Sequence, residues 1–201
     1  NFTKNSNLRV FEINKFLTGH HLSKGATLSF QSFSPVVLKN IHRINMNYRH
    51  FGELMGLYNS SNIMTYSELI LGLPGETYDS FAMALGKLLE AGQHNSIIVV
   101  KCHCLANAEM SQPDYMKKHG IETVQAPIDN AHFIPQQEEQ IPEYSQIVVS
   151  TATMSRPMWV ETEMLSLSVQ CFHSFGLLRY FAVYQFYEYG IRYESFYQRL
   201  I

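Results

Sequence analysis

The run Glu68-Leu69-Ile70-Leu71-Gly72-Leu73-Pro74-Gly75-Glu76-Thr77 carries the most chemistry in the sequence, setting a carboxylate into an apolar strand that ends in a glycine-rich turn. Leu69 to Leu71 form the short apolar run expected of a strand covered on both faces. Gly72 and Gly75 let the backbone take positive φ or approach a ligand closely, Pro74 stiffens the turn, and Thr77 is placed to cap a following helix. Side chains alternate along a strand, so Glu68, Ile70 and Gly72 share one face, and a carboxylate facing an interior is costly unless something hydrogen-bonds it. Glu68 and Glu76 together suggest the acid and base of a glycoside hydrolase. Their placement argues against that reading: Glu68 lies well before the carboxyl end of its strand, whereas barrel enzymes put catalytic groups at strand ends and in loops.

A second unit upstream has the same layout. Ala26 to Phe30 read as a short strand after Gly25, Gln31 and Ser32 stand at its carboxyl end, and Ser34-Pro35 supplies an N-cap with proline at the first helical position. The helix that follows turns Val37, Leu38 and Ile41 inward and delivers Arg43 beyond them. Gln31, Arg43, Glu68 and the Gly72 turn are thereby expected to converge on one ligand with hydroxyl, carboxylate and flat aromatic parts.

These segments resemble the radical S-adenosylmethionine superfamily, in its cobalamin-dependent branch. Ser29-Phe30-Gln31-Ser32-Phe33-Ser34-Pro35 with Leu38 and Arg43 is similar to the family's fourth-strand segment, and Glu68 to Thr77 to its fifth. Leu105-Ala106-Asn107-Ala108-Glu109-Met110 looks like the segment after the sixth strand, with Ala106 where the pattern has proline. Asn1-Phe2-Thr3-Lys4-Asn5 is similar to the tail of the third. The resemblance implies that Gln31 and Glu68 meet a ribose, Arg43 a methionyl carboxylate, and the Gly72 to Gly75 turn an adenine. The cofactor-binding residues it implies are Gln31, Ser32, Arg43, Glu68, Gly72, Leu73, Gly75 and Glu76; it assigns no catalytic side chain and no metal ligand.

The resemblance also implies a reduced 4Fe–4S cluster that cleaves S-adenosylmethionine to a 5′-deoxyadenosyl radical, and a cobalamin that donates a methyl group. Neither has its ligands in this sequence. The superfamily's Cys-x-x-x-Cys-x-x-Cys is missing, a thiolate-held cluster needs three or four close cysteines, and only Cys102, Cys104 and Cys171 are present, which read as buried small hydrophobes. No cobalamin-binding domain precedes the strands, and the chain starts with Asn. The expectation is therefore the C-terminal piece of a methyltransferase of natural-product or cofactor metabolism, inactive by itself. Radical rearrangement or cyclisation, and a noncatalytic interaction module, are the alternatives. The partners implied are the missing N-terminal half, a small-molecule or peptide substrate, and an electron donor such as flavodoxin or ferredoxin.

Composition agrees with a folded cytoplasmic domain. The 201 residues are 46% hydrophobic, enough for one core and a small appended region. Fifteen basic against 17 acidic residues leave a net charge of −2, which gives no electrostatic case for nucleic acid or an anionic membrane, and no apolar run is long enough to span a bilayer. Nine histidines show no metal spacing. Helices are expected over Leu8 to Leu17, Pro35 to Arg43, Arg49 to Tyr58 and Thr77 to Glu90, with strands over Met64 to Leu71 and Ser96 to Cys102. The alternation predicts parallel pairing. From Gln112 prolines punctuate an extended stretch with a polar loop at Gln136 to Gln140 and a short strand at Ile147 to Ser150. Three helices follow, over Pro157 to Phe172, Leu177 to Tyr189 and Tyr193 to Leu200, and their many Phe and Tyr residues read as a helical core. The fold class expected is α/β: a partial parallel (β/α) barrel (TIM barrel) of the radical S-adenosylmethionine type over residues 1–111, with an extended connection and helical extension over 112–201.

Overall fold

The computed structural model describes residues 6–127 and 143–201. Three strands, β1 (Ala26–Thr27), β2 (Thr65–Leu71) and β3 (Ser96–Lys101), form a parallel sheet in the order β1-β2-β3. Helices α1 (Leu8–Gly19), α2 (Pro35–Asn40), α3 (Tyr48–Ser60) and α4 (Tyr78–Glu90) alternate with them. Each of the four starts at a side-chain cap: Asn7, Ser34, Asn47 and Thr77 accept backbone N–H groups of the first turn. Ser80 reciprocates toward Thr77 to complete a capping box, and Asp79 and Lys87 complement the two ends of the α4 dipole.

The expected apolar face of α4 is buried, and Phe81, Leu85, Leu88 and Leu89 join Phe51, Leu54, Met55 and Tyr58 of α3 in the main core. Burying each large side chain contributes roughly 1.5–3 kcal/mol, which fixes these helices on the sheet. Along β2, Thr65, Ser67, Leu69 and Leu71 are buried on the helix-covered face, while Tyr66, Glu68 and Ile70 stand half-buried on the other. Two hydroxyls on the covered face are satisfied by Gln93: its amide nitrogen donates to Ser67 Oγ (2.9 Å) and its oxygen accepts from Thr65 (3.1 Å). On the opposite face Ile98 and Val100, the β2 neighbours of Glu68 and Ile70, remain 39% and 41% exposed. The described residues make an open parallel sheet with helices against one face, and no closed barrel.

At Cys102 the chain changes sheets. Its amide donates to the Leu71 carbonyl (2.8 Å) and its carbonyl accepts from Val148 (2.9 Å). Beyond it, β4 (His103–Cys104) pairs with β6 (Tyr144–Ser150), and β6 with β5 (Glu122–Pro127), in an antiparallel sheet ordered β4-β6-β5. The expected short strand at Ile147 to Ser150 is the centre of that sheet, and the stretch from Gln112 is not merely extended. Pro113 opens α5 (Pro113–His119) and Gly120, at φ 57, closes it, the proline-in, glycine-out signature of a helix. A second core of Val37, Leu73, Cys102, Ile121 and Val148 joins this sheet to α2 and the Gly72 turn.

The helical end comprises α6 (Arg156–Ser168), a π-helical continuation over Val169–Ser174, α7 (Arg179–Tyr189) and α8 (Tyr193–Gln198). The expected aromatic core is only partly formed. Tyr193 and Tyr197 are buried, but Tyr180, Phe181, Tyr184 and Tyr187 of α7 face outward and Ala182 is its only fully buried residue. Asn1 to Asn5, His132, Pro135, Pro142 and the Gln136 to Gln140 loop lie outside the described residues.

Candidate functional site

The edge strand β1 positions the site. Past Thr27 its ladder continues irregularly, with Leu28 donating to Tyr66 O (2.7 Å) and the amides of both Phe30 and Gln31 reaching the Glu68 carbonyl (3.2 and 3.0 Å). Two residues of one strand thus oppose one of the next, a bulge, and Gln31 takes φ 65 in the left-handed region. The Gln31 carbonyl then accepts from Ile70 (2.9 Å), so pairing resumes at once. This places the Gln31 backbone directly beside that of Glu68.

Ser29, a residue without an assigned role in the sequence reading, links the expected participants. Its hydroxyl donates to Glu68 Oε2 (2.8 Å) and its carbonyl accepts from Arg43 Nη2 (3.2 Å). Its only sequence signal is its place two residues before Gln31. Among the described residues, the second oxygen of Glu68 and the side-chain amide of Gln31 have no hydrogen-bond partner. They are half-buried acceptors and donors beside a partly open apolar face.

Arg43 arrives by a different route from the one expected. The α2 helix ends at Asn40 because His42 adopts φ 51 and the Arg43 amide turns back to the Leu38 carbonyl (2.9 Å). Off the helix, Arg43 Nε donates to Asn45 Oδ1 (2.7 Å), and partial burial lowers the guanidinium pKa from its ordinary value. Arg43 lines a cavity of about 490 Å³, together with Phe30, Phe33, Leu38, Met46 and Tyr48 and with Lys39 and Lys87. Gln31 and Glu68 do not line that cavity.

Ser32, Gly72, Leu73 and Glu76 are buried, with Gly75 half-buried. Ser32 donates to one oxygen of Glu76 and Ser80 to the other, and burial pushes the Glu76 pKa up against the opposing effect of those bonds. The hydrolase alternative thereby loses its second carboxylate, since Glu76 has no exposure to a substrate. Gly72, at φ 99, lies under β6, where an added Cβ would stand 3.1 Å from Val148 O; Gly75, at φ 94, lies against α2, 2.8 Å from Asn40 Nδ2 on the same construction. The structure therefore joins Glu68 and Arg43 through Ser29, with the Gln31 backbone on the Glu68 carbonyl and Arg43 opening onto a cavity that the other two do not line, while Ser32, Glu76 and the Gly72 to Gly75 turn are packed into the protein.

Among the described residues, no group of three His, Cys, Asp or Glu side chains can hold a metal ion. Cys102 is buried and its thiol is pushed up to about 12, Cys104 is half-buried, and Cys171 is exposed, against the expectation of a third buried cysteine. The donor set thus does not fit an iron–sulfur cluster. No described helix is long and apolar enough to cross a membrane. One buried polar network escaped the sequence reading: His94 Nδ1 lies 2.9 Å from His173 Nε2, and His173 Nδ1 lies 2.8 Å from Tyr197 Oη. His94 and His173 are 79 residues apart, and no spacing rule would join them.

No known family profile matches the chain. Sequence similarity nevertheless covers it from end to end, and both relatives described here are methyltransferases, one of them named as cobalamin-dependent and radical SAM, which bears out the resemblance to that branch. One relative is the cobalamin-dependent radical SAM methyltransferase TokK of Streptomyces tokunonensis, and another the 2-(S-pantetheinyl)-carbapenam-3-carboxylate methyltransferase of Streptantibioticus cattleyicolor; each is 38% identical over 200 residues. The alignments include 100% of this chain and 29% of each relative.

Proposed function

We propose that this chain is the S-adenosylmethionine-binding part of a cobalamin-dependent radical S-adenosylmethionine methyltransferase, acting in the cytoplasm on a natural product or cofactor metabolite. The observation that carries the reading is the Ser29 bridge, which joins Glu68 to Arg43 beside the Gln31 bulge. A diol-bearing nucleoside with an amino-acid tail needs these groups: an acceptor and an amide for the ribose, and a planar cation for a carboxylate. Glu68 would accept from ribose hydroxyls through its unpartnered oxygen while Ser29 holds the other; Gln31 would add a second polar contact. Arg43, oriented by Asn45 and the Ser29 carbonyl, would meet the carboxylate. Ile98 and Val100 would limit water near the ligand.

The cofactors of such an enzyme supply the radical and the methyl group. Their holding groups would come from elsewhere in the polypeptide, since the three cysteines of this chain do not converge. An electron donor such as flavodoxin or ferredoxin would provide the reducing equivalent. The relative that methylates a pantetheinyl carbapenam carboxylate makes a carboxylate-bearing β-lactam the first substrate class to try. Calorimetric titration of S-adenosylmethionine into the reconstituted full-length protein tests the reading. Saturable binding that Glu68→Ala and Arg43→Ala both weaken is expected, and binding indifferent to both substitutions would refute it.

A further inference from the structure

We infer that Glu76 is a positioning residue for Gln31, holding the β1 bulge through Ser32 without itself touching S-adenosylmethionine; this rests on the site proposed above. Gln31 keeps a left-handed φ of 65 although it is neither Gly nor Asn. Such a conformation persists in a glutamine only where the neighbouring residues over-determine it. The over-determination falls on the next residue. The Ser32 amide donates to Phe30 O (2.8 Å), its carbonyl accepts from Asn45 Nδ2 (2.7 Å), its hydroxyl accepts from the Ser34 amide (3.0 Å), and that same hydroxyl donates to Glu76.

Glu76 is in turn fixed from two further directions. Ser80, in the first turn of α4, donates to its second oxygen, and Thr153 Oγ1 donates to its backbone carbonyl (2.7 Å). The carboxylate has no exposure, no cation beside it among the described residues, and no route to a ligand. A buried carboxyl group whose partners are two serine hydroxyls and the Thr77 backbone, with no ligand among them, is costly unless it orders something. What it orders is the junction of the bulge, the α4 start and the Thr151–Met154 turn. Removing it takes away one of the four bonds that hold Ser32, the one that ties the bulge to the α4 start, and the bulge can then relax to negative φ and turn the Gln31 amide away from the ribose.

The test is equilibrium dialysis with S-adenosylmethionine on the reconstituted full-length protein, well below its unfolding temperature. Gln31→Ala and Glu76→Ala should each raise Kd by about tenfold, the scale of one hydrogen bond, and the double variant should bind no worse than either. Glu76→Gln, which still reaches both serines, should bind close to the parent. Amide exchange over 30–34 should quicken in Glu76→Ala. If Glu76→Ala does not fold, Ser32→Ala, which leaves Glu76 bound to Ser80, takes its place in the same cycle. Additive losses, or an unchanged Kd with only a lowered unfolding temperature, would overturn the inference while leaving the site intact. Absence of binding in the unsubstituted protein would instead overturn the site.

Discussion

The pairing of the fully buried His173 with the half-buried His94 makes stability depend on pH in a way that can be calculated. His173 has no exposure, donates or accepts at both ring nitrogens, and faces His94, Tyr193 and Tyr197, while Arg179 binds its carbonyl. Burial first, then the proximity of His94 and Arg179, lowers its pKa from 6.5 to about 3, and burial lowers that of His94 in the same direction. Between those values the unfolded chain binds a proton that the folded chain refuses. Stability is therefore full above about pH 6.5 and is lost as pH falls. For a shift of this size, linkage gives a loss of about 2 kcal/mol from pH 7 to pH 5 through His173 alone. Glu76, whose pKa is raised, acts in the opposite sense: the native state holds its proton more tightly, so its contribution declines as pH rises above 4.5. Comparison of variants separates the two. Urea unfolding followed by circular dichroism at pH 7, 6 and 5, on the parent and on His173→Phe, should give a variant that is weaker at pH 7 because His94 and Tyr197 lose a partner. Its further loss on acidification should be smaller by about 2 kcal/mol. A variant as acid-sensitive as the parent would show that the imidazole is not held neutral.

Arg43→Ala should weaken S-adenosylmethionine binding by about 1.5–3 kcal/mol, the value of a hydrogen bond to a charged group, and Arg43→Lys should not restore it because an ammonium lacks the planar fork; calorimetry reads both. Gly75→Ala should lower the thermal midpoint, because φ 94 and the approach to Asn40 and Val36 leave no place for a Cβ; a cost of about 1–3 kcal/mol is expected from the backbone strain alone, and an unchanged midpoint would contradict it. The 201-residue chain alone, reconstituted anaerobically with iron and sulfide, should show no cluster absorbance and form no 5′-deoxyadenosine. Stoichiometric cluster formation would mean that Cys102, Cys104 and Cys171 are ligands.

Much of the parallel unit is legible because its signals are local. Ser34-Pro35 and Thr77 mark helix starts, and the Leu85, Leu88, Leu89 stripe marks a buried face. The β1 bulge is not legible, since nothing in Ser29-Phe30-Gln31 announces that Phe30 and Gln31 share one acceptor. The end of α2 is similarly hidden, because an uninterrupted Leu38 to Ile41 pattern gives no sign that His42 will turn left-handed. The second sheet is a matter of non-local pairing, in which β6 finds β4 more than 40 residues upstream. Prolines that read as punctuation in fact included a helix start at Pro113. At the site, residue types and the resemblance to the family's strand segments suggested a ligand, but the Ser29 link between Glu68 and Arg43 and the buried group around Glu76 depend on packing that no spacing encodes.

The claim that this chain grips a nucleoside through Gln31 and Glu68 is tested most directly by a structure of the full-length protein with S-adenosylmethionine bound. The expected result places the ribose hydroxyls within hydrogen-bond distance of Glu68 and the Gln31 amide, with the methionyl carboxylate on Arg43. A nucleoside bound elsewhere, with Glu68 still paired only to Ser29, would contradict it.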